Sequence, residues 1–215
     1  MDTNAPDQTT TRPYSRRTAI IRMVPVLAVT FILAHFLRSA PAVIAPNLRA
    51  ELGLTPGELS SLPAAIFLGA ALMQLPVGVL LDRFGPRRTM SGLFSLAALG
   101  AIIFSFAHDV PMLALALFLI GCGAAPVFMG VMVLLARWIP RDRLATGTAI
   151  SISVGGAGML LSASPFAAAV ELYGWRESLL VVGLFSLAVA VVVFLMVRDR
   201  PDDAPAPAVS ETLLQ

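Results

Sequence analysis

Six long apolar runs separated by short polar breaks constrain this chain more than any other feature. They lie at about 20–45, 59–81, 89–107, 112–136, 146–170 and 178–197. A helix needs about 20 predominantly apolar residues to cross a bilayer. Lipid offers backbone N–H and C=O groups no partners, so among open structures only helices can span it. The runs therefore predict an all-α, polytopic membrane protein with six transmembrane helices. Composition agrees: 57% of the 215 residues are hydrophobic and 13% charged, where a soluble domain carries about a quarter charged.

The breaks carry turn chemistry. Residues 47–57 hold Gly53, Pro56 and Gly57, residues 82–88 hold Gly85 and Pro86, and residues 171–177 hold Gly174. Residues 108–111 and 137–143 complete the set, the latter charged around Pro140. Links this short favour antiparallel neighbours. The predicted organisation is a disordered cytoplasmic tail at 1–18, a transmembrane bundle at 19–197, and a cytoplasmic tail or the start of a linker at 198–215. The N-terminal stretch lacks the features of a cleaved signal peptide.

The arginines predict the orientation. All fifteen basic residues are Arg. Twelve fall on one side: Arg12, Arg16, Arg17, Arg22, Arg83, Arg87, Arg88, Arg137, Arg141, Arg143, Arg198 and Arg200. The other side has only Arg49 and Arg176, and Arg38 falls within the first run. Positive residues stay cytoplasmic, which places both termini inside.

Arg38 is the foremost candidate for a binding residue. A charge inside a membrane helix costs at least about 2.5–3.5 kcal/mol, so it should face a cavity or a partner. His35 precedes it by three residues and shares its face. Pro41 leaves the Leu37 carbonyl without a helical donor and predicts a kink. A polar pair beside a kink suits a binding site near the bilayer midplane. The competing reading is that Arg38 snorkels outward. Gln74 is a weaker candidate, since a neighbouring helix would also satisfy its amide. Ser151, Ser153, Ser162 and Ser164, with Gly155, Gly156 and Gly158, read as close helix packing. Met129 and Met132 read as packing rather than metal ligands. No nucleophile–base pair, phosphate loop, metal-ligand spacing or basic nucleic-acid footprint is evident. No enzyme, cofactor, metal or nucleic-acid partner is therefore expected. The single cysteine, Cys122, excludes an internal disulfide.

The second break reads Gly78-Val-Leu-Leu-Asp82-Arg83-Phe-Gly85-Pro-Arg87-Arg88. Gly78 permits close helix contact, and Gly85 a tight turn with positive φ. Asp82 can meet a helix N-terminus or an arginine. Arg83, Arg87 and Arg88 can pair with Asp82 and with anionic lipid head groups of the surrounding bilayer. A positive-inside loop alone would also account for Arg87 and Arg88. The stretch resembles the major facilitator superfamily signature between helices 2 and 3, and it matches at every defined position. Leu119-Ile-Gly121-Cys-Gly123, Arg137-Trp138-Ile-Pro140 and Gly174-Trp175-Arg176 are similar to further family features, and the resemblance covers about 20–203.

The resemblance implies the N-terminal six-helix half of a secondary transporter of the bacterial inner membrane. Gly78, Asp82, Arg83, Gly85, Arg87 and Arg88 would form its conformational gate. Arg38, His35 and Gln74 would bind a small-molecule substrate, since family members that carry organic anions often have an arginine at the Arg38 position. Complete members pair two bundles, so the implied partner is a second six-helix bundle, either a C-terminal half or another copy. The alternative is a non-transporting membrane partner or regulatory subunit that retains the bundle. Two departures stand out. Leu117 occupies the helix 4 position where the family's proton-coupling arginine falls, which counts against proton-driven transport. The Gly-Pro motif of the family's antiporters is missing from helix 5.

Overall fold

A computed structural model of the protein describes residues 16–199. The described residues form seven α-helices and one short 3₁₀ turn at Arg141–Arg143. The helices are α1 (Arg16–Val43), α2 (Ala45–Leu52), α3 (Pro56–Ser105), α4 (Val110–Trp138), α5 (Leu144–Ala163), α6 (Pro165–Tyr173) and α7 (Trp175–Met196). Five segments are long and apolar enough to cross a membrane, with α5 and α6 together forming one of them.

The difference from six runs lies in α3. Its 50 residues would measure about 75 Å as one straight helix, more than twice the hydrocarbon core of a bilayer. The helix is interrupted inside only at Gly85, whose φ of 79° and ψ of 164° are non-helical. The expected loop at 82–88 thus contracts to a single residue, with Pro86 restarting the helix as its fixed φ favours.

Four other boundaries depart from the sequence reading. The expected loop at 47–57 contains α2, which Gly53 closes with φ 65°. α3 begins at Pro56 because Thr55 and Glu58 form a reciprocal cap: Thr55 N–H donates to Glu58 Oε2 at 2.9 Å, and Glu58 N–H to Thr55 Oγ1 at 3.2 Å. The fifth run breaks at Ser164, since Pro165 has no N–H for the carbonyl one turn before it. α1 begins at Arg16, inside the stretch assigned to the N-terminal tail, and residues 1–15 and 200–215 of the two tails lie outside the described residues.

α4 is the central helix: 61% of its most apolar window is buried, against 11% for α5–α6. Between apolar helices in lipid, association depends on close packing rather than on a hydrophobic driving force. Small residues supply that approach. A Cβ on Gly121 would strike the Ile66 carbonyl, and one on Gly123 the backbone of Leu93 and Ala97. α4 is therefore seated against α3 on both sides of the Gly85 break. A Cβ on Gly155 would meet the Phe31 ring, and one on Gly158 the Ile32 carbonyl, which brings α5 onto α1.

Polar clusters mark two opposite ends of the bundle. At one, the Gly85 turn meets the C-terminal ends of α4 and α7. The backbone N–H of Arg87 donates to Asp199 Oδ1 at 2.7 Å, and Arg137 Nη1 donates to the Asp199 carbonyl at 3.3 Å. At the other, Glu51 of α2 accepts from Trp175 Nε1 at 2.6 Å and pairs with Arg176 at 2.9 Å. Arg176 also donates to the Ser105 carbonyl at 2.9 Å, which ties α2, α3 and α7 together.

Candidate functional site

Phe31, His35 and Arg38 follow one another at helical spacing and share one face of α1. Opposite them lie Gln74 and Val77 of α3, and Phe128 and Met129 of α4. Together they enclose a hollow of about 270 Å³. A second, larger hollow of about 510 Å³ shares His35 and Arg38 and continues past Ser39 and Pro41 to Leu59, Pro63 and Met159. The structure thus brings all three sequence-predicted binding residues to one hollow. Arg38 lies in the last two turns of α1 rather than at its centre. The break beyond Pro41 is at Ile44, where α1 gives way to α2.

The polar groups here differ in how they are held. Among the described residues Arg38 has no hydrogen-bond or ion-pair partner, and its side chain is exposed to the hollows. His35 is half-buried. Its Nδ1–H donates to the Phe31 carbonyl at 3.0 Å, an assignment that follows because a carbonyl only accepts. The ring also packs edge-on against Phe31, with centroids 4.6 Å apart. Gln74 likewise has no partner among the described residues. One unpartnered cation, one imidazole and one amide on an otherwise apolar wall can recognise a small anion. The guanidinium offers a fork of donors that matches a carboxylate or sulfonate.

The signature loop is only partly as expected. Gly85 has the positive φ that was predicted. Gly78 makes no close helix contact among the described residues, because a Cβ there would meet nothing within 4 Å. Asp82 is exposed and has no partner among the described residues, so Arg83, Arg87 and Arg88 do not pair with it. Arg83 lies over the ring of its neighbour Phe84 at 5.4 Å. Arg87 turns instead to the end of α7, where its Nε donates to the Phe194 carbonyl and its guanidinium stacks over the Phe194 ring at 4.6 Å. The Arg88 side chain is exposed. The last carbonyls of a helix lack intrahelical donors, and an arginine beside them can supply one.

Several contributors escaped the sequence reading. Ser39 is one: its Oγ lies 2.7 Å from that of Ser162, a serine read above as helix packing, and bridges α1 to α5 beside the larger hollow. Phe36 of α1 meets Phe166 of α6 edge-on at 5.0 Å. Pro165 was the available signal for the α5–α6 break. Nothing local in the sequence announced the Glu51–Trp175–Arg176 cluster, in which Glu51 is more than a hundred residues from the other two. Trp175, then burial opposed by Arg176, set the Glu51 carboxyl: the net effect holds it below its ordinary value.

The described residues form an all-helical bundle with five segments long and apolar enough to cross a membrane, the class of polytopic membrane proteins. Residues 27–213 match the sequence model of the Major Facilitator Superfamily, and the chain belongs to this family. It is 27% identical over 177 residues to a probable sulfoacetate transporter of Cupriavidus necator, covering 82% of this chain and 41% of that one. It is 27% identical over 195 residues to a quinolone resistance transporter of Acinetobacter baumannii, covering 86% and 44%. A putative tartrate transporter of Agrobacterium vitis is 23% identical over 194 residues, covering 87% and 43%. In fold, the chain is similar to a bacterial homologue of the human lysosomal transporter Spinster in its inward-facing, unoccupied conformation. The TM-score is 0.73 at 18% identity, over 92% of this chain and 46% of the homologue. The chain spans less than half the length of each of these relatives.

Proposed function

We propose that this chain is the N-terminal six-helix bundle of a secondary transporter that moves a small organic anion across the bacterial inner membrane by alternating access. The observation that carries this reading is the convergence of Arg38, His35 and Gln74 on one hollow, with Arg38 unpartnered there. A charge held in such a place is costly unless it has a use. Relatives named as transporters of sulfoacetate and tartrate support an anionic substrate.

In this reading the Gly85 break makes two spans of α3, so that six helices cross and both termini are cytoplasmic, as the arginine bias favours. The hollows form half of a cavity, and a second bundle supplies the rest. That bundle is a C-terminal half or another copy inserted in the same orientation. Gly78 and the exposed Leu72, Leu75 and Val79 of α3 suit contact with it. Asp82, which has no partner among the described residues, then meets a helix N-terminus or a cation of the second one, and the signature loop acts as gate.

A thermal-shift titration tests the substrate class. A ligand at a hundred times its Kd stabilises the folded state by about 2.7 kcal/mol. Sulfoacetate or tartrate should raise the unfolding temperature, while the corresponding neutral amides should not. Stabilisation by the amides to the same extent would overturn the anion reading.

A further inference from the structure

The two hollows meet at His35 and Arg38 and differ in what lies beyond them. The smaller, of about 270 Å³, adds the Gln74 amide. The larger, of about 510 Å³, adds one polar side chain, Ser39, and is otherwise apolar. Leu59, Pro63 and Phe67 follow one another at four-residue spacing along α3, and Pro41, Leu48 and Met159 line the same space from α1, α2 and α5. Among the described residues no carboxylate lines either hollow, so none competes there for the Arg38 guanidinium.

Ser39 is engaged with its own surroundings. Its Oγ donates to the His35 carbonyl at 2.9 Å and meets Ser162 Oγ at 2.7 Å. A ligand hydroxyl placed against the apolar walls would give up water and gain no partner, whereas an alkyl or aryl group placed there gains by leaving water. The walls are also held in place. Leu48 is 1% exposed, Glu51 ties α2 to α7, and Gly155 and Gly158 seat α5 on α1. Small-molecule sites are largely preformed, mostly apolar clefts of about 300–1,000 Å³ with a few polar groups that fix orientation. The larger hollow falls within that range and the smaller does not.

We propose that the anion this site selects carries an apolar body: its charged head pairs with Arg38, and an alkyl or aryl body lies in the larger hollow against Leu59, Pro63 and Met159. The inference rests on the anion-site reading given above and narrows its substrate class to amphiphilic anions. Small hydrophilic anions then bind by the head alone, and more weakly. Complete burial of one methylene raises affinity about fourfold. An open hollow buries each methylene only in part, so the expected gain from a two-carbon to a six-carbon body is about tenfold.

The test is calorimetric titration of ethane-, butane- and hexanesulfonate into protein produced from its native reading frame and held in lipid nanodiscs, with empty nanodiscs as the blank. The three share one head that stays ionised at any working pH, so only the body changes. The parent should bind hexanesulfonate about tenfold more tightly than ethanesulfonate. Ala42 of α1 is exposed and Ala45 of α2 half-buried, and both line the larger hollow. Ala42→Phe and Ala45→Phe should each fill it, reduce the gain to less than about twofold and leave ethanesulfonate within about threefold of the parent. Arg38→Gln should lose binding of all three. Equal affinity of the parent for the three sulfonates overturns the apolar-body inference while the Arg38 site stands. So does a parental gain in either filled variant that circular dichroism shows to be folded. If Arg38→Gln binds ethanesulfonate like the parent, or no sulfonate binds the parent, the anion reading itself fails and this inference with it.

Discussion

Replacing Gly85 with alanine should loosen the joint between α3 and α7. The backbone at Gly85, φ 79° and ψ 164°, lies in a region that is nearly exclusive to glycine and costs a side-chain-bearing residue about 1–3 kcal/mol. A second penalty follows from packing. A Cβ at this position would stand 2.8 Å from the Asp199 carboxylate carbon, so the carboxylate must move. It then gives up the 2.7 Å bond from the Arg87 N–H. A hydrogen bond to a charged group contributes about 1.5–3 kcal/mol, and partial exposure of Asp199 favours the lower end. The expected loss is about 2.5–4 kcal/mol. Cys122, the only cysteine, is buried in the core, so its reaction with a thiol-specific fluorophore in mild detergent reports unfolding without further engineering. Asp199→Asn weakens the same bond, so Gly85→Ala/Asp199→Asn should lie within about 0.5 kcal/mol of Gly85→Ala alone. Unfolding of Gly85→Ala at the parent's temperature, or full additivity of the two changes, would refute the joint as described.

Two further outcomes are expected. The Glu51 carboxyl is held below its ordinary value of 4.5, so its contribution is present above about that pH and lost as pH falls through the folded-state value. Glu51→Gln should therefore lower thermal stability at pH 7 and match the parent in strong acid. Its side chain is 46% exposed and solvent screens the pair, so the difference should stay under about 1 kcal/mol. A difference that persists unchanged at pH 3 would disprove the electrostatic origin. For topology, single cysteines are placed by Arg88→Cys and His108→Cys on a Cys122→Ser background. An impermeant maleimide should label position 108 in intact cells, and position 88 only after permeabilisation; the opposite pattern would invert the assigned orientation.

How much of this was legible in the sequence depends on the range of the interactions. Apolar runs are local, and each is helical over most of its length in the structure. Gly85 was legible too, because a positive φ is a property of one residue. Arg38, His35 and Gln74 were chosen because polar groups in lipid must face something, and they do share a hollow. The partners of those groups were not legible. The sequence suggested that Asp82 would pair with the arginines after it, yet Arg87 goes to the carbonyl end of α7, more than a hundred residues away. Gly78 was expected to seat a helix and seats none among the described residues. The Thr55–Glu58 cap and the Pro165 break were written in the sequence as ordinary capping and proline signals, but the long apolar run at 146–170 masked the second. The Glu51–Trp175–Arg176 cluster depends on three helix ends meeting, which no local pattern encodes.

The central claim is that an anion crosses by way of Arg38, and uptake into proteoliposomes tests it most directly. Losing one partner of a charge-assisted pair costs about 2–5 kcal/mol of binding, which is at least about thirtyfold in affinity. Arg38→Gln should abolish uptake of radiolabelled sulfoacetate or tartrate while circular dichroism and reconstitution yield match the parent. Arg38→Lys should retain part of the rate, because the charge survives without the planar fork. Arg83→Gln, in the proposed gate, should slow uptake with affinity near the parent's. Parental uptake by Arg38→Gln would mean that the guanidinium merely snorkels to the membrane surface, and the account of the site would be wrong.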